Sequence, residues 1–244
     1  MVRGLIPLRA VGAAFLAAAA TGIVVGLGSR LAMKVSALLS PEELVRVTEN
    51  GNVVGDLTVE GTLALVIFAG IGPAMFAAVL YAATRPWLAR FGAASGVTFG
   101  LLLLALAGAA VLQPSNGDFR RFGPPLVNVL MFGGLFVLTG MLIVALTARS
   151  ERLPARVLTV AGAIGLAPLA LAALAIVSGA AQSVLDPTSD EGGTAFRLAL
   201  ILVAIALVLR WQSQTRSAWG LALIGPVIPG VFAAARSIRF ILGG

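Results

Sequence analysis

Gly22, Gly26, Arg30 and Lys34 stand four residues apart in a stretch that is otherwise almost wholly apolar. On an α-helix that spacing lines them along one slowly drifting face. Two glycines let a neighbouring backbone come close, so the two cations beyond them sit at the mouth of the shared seam. A cation held there calls for an anion. Arg30 and Lys34 are therefore a candidate site for an anion or a lipid headgroup. The same residues also suit snorkelling to a membrane surface, or ion pairs with Glu42, Glu43, Glu49, Asp56 or Glu60.

Much other chemistry is excluded by residue type. There is no cysteine, hence no thiolate nucleophile, disulfide framework or iron–sulfur site. There is no histidine, which removes the commonest haem, copper and zinc ligand and the usual proton shuttle near neutral pH. Lys34 is the only lysine, and a retinal Schiff base needs one in the last helix. No serine stands in a GxSG-like setting with an obvious base. Asp186, Asp190 and Glu191 cluster in "DPTSDEGG", a Gly-flanked segment that reads as a solvated loop. We expect no enzyme, no cofactor beyond a bound lipid, and no metal.

The elements that position these residues are set by hydropathy. Of the 244 residues 59% are hydrophobic and 11% charged, with a mean hydropathy of +1.03. A soluble domain carries about a quarter charged residues, so the solvent around most of this chain is lipid. The net charge of +7 could suggest nucleic acid, but the arginines lie singly or in small groups between apolar spans. That is the pattern of membrane anchoring, and no nucleic-acid partner is expected. The alanine-, glycine- and arginine-rich composition has the look of polytopic inner-membrane proteins from GC-rich bacteria, a likeness that carries no function.

A spanning helix needs about 20 mostly apolar residues. Seven stretches qualify or nearly do: 10–29, 61–84, 92–112, 125–147, 157–182, 195–211 and 218–235. The expected fold is an all-α polytopic membrane protein, one integral membrane domain over 1–244. The first stretch is longer than a signal-peptide core and reads as a retained helix. The last contains Pro226 and Pro229, which could kink a spanning helix or turn a re-entrant one, leaving six spans.

One set of alternate loops holds Arg3, Arg9, Arg85, Arg90, Arg149, Arg152, Arg156, Arg210 and Arg216 with a single acid, Glu151. Its loops are short, where the positive-inside rule applies best, and Trp87, Trp211, Trp219 and Tyr81 flank it. This set is read as cytoplasmic, with the N-terminus. The opposite set includes an outer loop over 30–60. There Ser40, Pro41 and Glu43 form a capping box for a short helix, and Asn50-Gly51 marks a possible β-hairpin.

Within the spans, Gly92, Gly96 and Gly100 form a second glycine stripe, read like Gly22 and Gly26 as a helix-packing face. Asn128 is the one amide well inside a span, read as an interhelical hydrogen bond. No Asp or Glu falls within an apolar core, which proton-coupled carriers and pumps normally need. A weak repeat at 64 residues, "FAG" at 68–70 with "FGG" at 132–134 and Arg85 with Arg149, would make spans 2–3 and 4–5 successive helical hairpins. These readings point to a non-catalytic accessory or structural subunit of a larger membrane assembly, partnered by lipid, by other membrane subunits or by itself. The alternative is a transporter or channel for a neutral or lipidic solute.

Overall fold

A computed structural model of the chain describes residues 8–40, 58–112, 122–185 and 218–243. Among them every apolar run is helical and no strand occurs. Backbone groups in an apolar medium must be satisfied internally, and a helix does so within one segment.

The first helix, α1, is Leu8–Leu38, 31 residues. At 1.5 Å per residue it is about 46 Å long, more than the roughly 30 Å of hydrocarbon in a bilayer. It does not stop at residue 29, because no proline or glycine stands between Gly28 and Pro41. Arg30 and Lys34 therefore ride on the helix, and the polar segment expected over 30–60 begins only beyond Leu38.

Its other boundary also shifts. Thr58 is the N-cap of α2, Val59–Ala64, and its hydroxyl accepts a hydrogen bond from the Gly61 amide at 3.1 Å. Thr58 and Val59, at the far end of the possible hairpin about Asn50-Gly51, therefore open a helix instead. The rest of that hairpin and the Pro41–Glu43 turn lie outside the described residues. Ser40 Oγ makes two bonds among the described residues. It donates to the Ser36 carbonyl at 2.8 Å and accepts from the Gly123 amide at 2.9 Å.

α2 runs through a π-helical stretch, Leu65–Ile71, into α3, Gly72–Leu88. Pro73 supplies a reason for the widened turn. In α geometry the Ala69 carbonyl would take its donor from residue 73, and proline has none. A 3₁₀ segment, Ala89–Ala94, then leads into α4, Ser95–Val111. Gly92 breaks the helix there at φ 51° and ψ −122°, a conformation that suits glycine. The chain folds back, bringing the Tyr81 and Phe99 rings to 5.4 Å between centroids.

The remaining helices are α5, Pro125–Ser150, α6, Ala155–Leu185, and α7, Ala218–Gly243. Three helical runs among the described residues are long and apolar enough to cross a membrane: Leu8–Leu38, Val59–Gly108 with its break at Gly92, and Pro125–Ser150. The stretch 195–211 lies outside the described residues. α7 is one unbroken helix of 26 residues through Pro226 and Pro229, so 218–235 does not turn back on itself as a re-entrant segment would.

α1 is the central helix. It packs against α2, the π stretch and α3, against α5 and against α6, while α4 packs against α5 and α7. Consecutive helices do not all pair: α5 and α6 barely touch and α3 meets α4 only sparingly, whereas α4 and α5 pack closely. The paired hairpins suggested by the 64-residue repeat are therefore not the packing unit. Close glycine contacts mark the pairings. A Cβ on Gly12 would sit 2.9 Å from the Gly162 nitrogen of α6, and one on Gly230 of α7 would meet the Ala105 carbonyl group of α4. The principal core, with Met75, Leu88, Phe99 and Ile143, fills the space between these seams.

Candidate functional site

The bundle has two polar ends. At one, the Arg85 guanidinium in the last turn of α3 grips Glu151, the residue that ends α5. Nη1 donates to Oε1 and Nη2 to Oε2, the second at 2.9 Å. The side chains are 48% and 37% exposed, so this fork contributes about 0–1 kcal/mol to stability. Beside it lies a shallow, open depression of about 260 Å³ lined by Arg9, Ala10, Glu151 and Leu158. Residues assigned by sequence to one set of loops, Arg9, Arg85 and Glu151, thus meet at one end. The pair itself was not foreseen. Glu151 is the lone acid among nine cations, and sequence could not say which arginine it would take.

At the other end Arg30 and Lys34 are half-buried. The Arg30 guanidinium lies over the start of α2: its Nη2 is 3.2 Å from where a Gly61 Cβ would be, next to the Thr58 cap. The seam below it is formed with the second span. A Cβ on Gly26 would lie 2.6 Å from the Val66 Cα, and one on Gly22 would be 2.6 Å from the Ile71 nitrogen. Gly70 fits between them, 3.0 Å from the Gly26 Cα if given a Cβ. Gly22, Gly26 and Arg30 therefore face one partner element. Of the five acids offered to the two cations, Glu42, Glu43, Glu49 and Asp56 lie outside the described residues, and Glu60 is exposed in the first turn of α2.

The second stripe divides. On Gly100 a Cβ would be 2.5 Å from the Val137 Cα, and on Gly96 it would be 3.0 Å from the Met141 Cα. Gly140 meets the Gly100 backbone from the α5 side. Gly92 is a correction. A Cβ there would have nothing within 4 Å. It is a turn glycine at the chain reversal, not a packing one, because the helix that would have aligned it with Gly96 ends at Ser95.

Asn128 is 2% exposed and joins three segments. Its Oδ1 accepts from the Ser36 hydroxyl of α1 at 2.6 Å, and its Nδ2 donates to the Phe122 carbonyl. Ser36 also reaches the Ala32 carbonyl at 3.0 Å. With Ser40 and Gly123, these bonds tie the end of α1 to the residues that lead into α5. Sequence singled out Asn128 but not the serines, which look like ordinary small helix residues.

The end of α7 sits at this same level, Ile241 packing with Leu112 and Val129. Arg236 and Arg239 are thus carried away from the Arg85–Glu151 end. Among the described residues no group of three potential metal-ligating side chains occurs. Comparison with family models, with curated proteins and with solved structures finds no match to this chain. What the fold defines is an all-helical bundle whose long apolar helices are compatible with a membrane protein.

Proposed function

We propose that the chain is a non-catalytic accessory or structural subunit of a larger membrane assembly, placed in a bacterial cytoplasmic membrane by seven spans with its N-terminus in the cytoplasm. The observation that carries this reading is the way the bundle is joined. Backbone meets backbone at glycine seams around α1, and buried hydroxyls turn onto their own helices: Ser29 to the Val25 carbonyl at 2.9 Å and Thr84 to that of Leu80 at 2.9 Å. Large apolar side chains, Phe68, Leu130 and Phe232 among them, are left on the outside for lipid or for neighbouring subunits. After purification in mild detergent, partners are expected at fixed stoichiometry. Recovery as a lone monomer or homo-oligomer would transfer support to the second reading.

That second reading is a carrier or channel for a neutral or lipidic solute, and the π stretch in the second span favours it. Such turns are rare and frequent at functional sites.

Topology is tested separately. The two-ended grouping of Arg9, Arg85 and Glu151 against Arg30, Ser40 and Gly123 supports assigning the Arg85 end to the cytoplasm by the positive-inside rule. In intact cells a membrane-impermeant thiol reagent is expected to label an Asn52→Cys variant and spare a Ser150→Cys variant. The reverse pattern would invert the orientation.

A further inference from the structure

We infer that the depression at the Arg85 end is a site for the headgroup of a zwitterionic phospholipid, one with a primary ammonium and a phosphate. Arg9 and Ala10 of α1 line it together with Glu151 and with Leu158 of α6, so a cation and a carboxylate contribute to one depression. The two are not joined: among the described residues Glu151 forms its ion pair with Arg85, and Arg9 forms none. The Arg85 fork orients the carboxylate while each oxygen keeps a lone pair for another donor. Arg9 is exposed on the first turn of α1, and an arginine fork is the group that suits a phosphate oxyanion.

The position agrees with the chemistry. Arg9 and Leu158 lie beside the Gly12–Gly162 crossing, at the end of the α1–α6 seam. That end of the seam lies at the depth of headgroups if the bundle spans a membrane. The site rests on the membrane reading but not on the subunit role, since a lone carrier could hold the same lipid. Arg90, Arg149, Arg152 and Arg156, which sequence assigns to the same set of loops, favour anions in general. The carboxylate is what selects a headgroup that also donates. A quaternary ammonium has no N–H to give, and a glycerol headgroup has no positive charge.

The test is binding to the delipidated full chain in detergent, read by native mass spectrometry and thermal shift. The probes are short-chain phosphatidylethanolamine, phosphatidylcholine and phosphatidylglycerol, with phosphoethanolamine and inorganic phosphate as soluble arms. Phosphatidylethanolamine is expected to bind tightest. Arg9→Gln should weaken it about tenfold, the worth of one charge-assisted hydrogen bond. Glu151→Gln should remove the preference over phosphatidylcholine while keeping a phosphate response, a change in selectivity that loss of the Arg85 fork alone would not produce. An equal response to phosphoethanolamine supports the same chemistry with the ligand drawn from water. Equal binding of all three lipids, or tightest binding of phosphatidylglycerol, overturns the proposal.

Discussion

Gly100→Leu is expected to abolish the folded bundle. The first atom added at Gly100 would lie 2.5 Å from the Val137 Cα and 2.8 Å from the Val137 carbonyl oxygen. Both obstacles are backbone, so no side chain can swing aside. The facing residue on α5 is Gly140, itself against the Gly100 backbone, so relief in one direction closes contact in the other. Overpacking in a core usually costs about 1–3 kcal/mol. Here α4 and α5 must separate along their length, and the cost should exceed that range. Size-exclusion chromatography of detergent extracts should show lost or aggregated protein. Gly133→Leu on the same helix α5 is the control: a Cβ there has nothing within 4 Å, and the variant should behave as the parent. Gly96→Leu should fall between, since its nearest obstacle is at 3.0 Å and part of it is the flexible Met141 side chain. Parental behaviour of Gly100→Leu would mean that α4 and α5 do not meet at this seam.

Asn128→Ala is expected to loosen the opposite end by about 1–3 kcal/mol, the cost of leaving a buried polar group unsatisfied. The Phe122 carbonyl loses its amide donor, while Ser36 can keep its bond to the Ala32 carbonyl. The two losses are therefore unequal, and most of the effect should come from the segment leading into α5. A double-mutant cycle with Ser36→Ala isolates the link between α1 and α5. Interhelical hydrogen bonds in membrane bundles couple by about 0.6 kcal/mol on average and up to about 1.7. Thermal unfolding in detergent reads both quantities. An unchanged midpoint for Asn128→Ala, or zero coupling to Ser36, would remove this network from the account of how the helices are tied.

What the sequence by itself determined was the solvent and the local backbone. Uninterrupted apolar runs such as 10–29 and 125–147 admit only a self-satisfied helix. The absence of histidine and cysteine closes off chemistry whatever the fold. Glycines at spacing four announce close contact, since that spacing is a property of the helix alone. Helix ends were less legible: α1 runs on to Leu38 because one or two charges do not stop a helix when no breaker follows, and Gly92 left its stripe because a turn claimed it. Only the tertiary structure decided which faces meet. Gly22 and Gly26 could have packed on any small-residue face; the face they meet is the π stretch of the second span, at Val66, Gly70 and Ile71. Arg85 and Glu151 are 66 residues apart, and their meeting depends on two helices that both pack on α1. Helical periodicity is local and is written within a few turns of sequence. The choice of partner follows from how all the helix faces fit at once, and no single stretch carries that information.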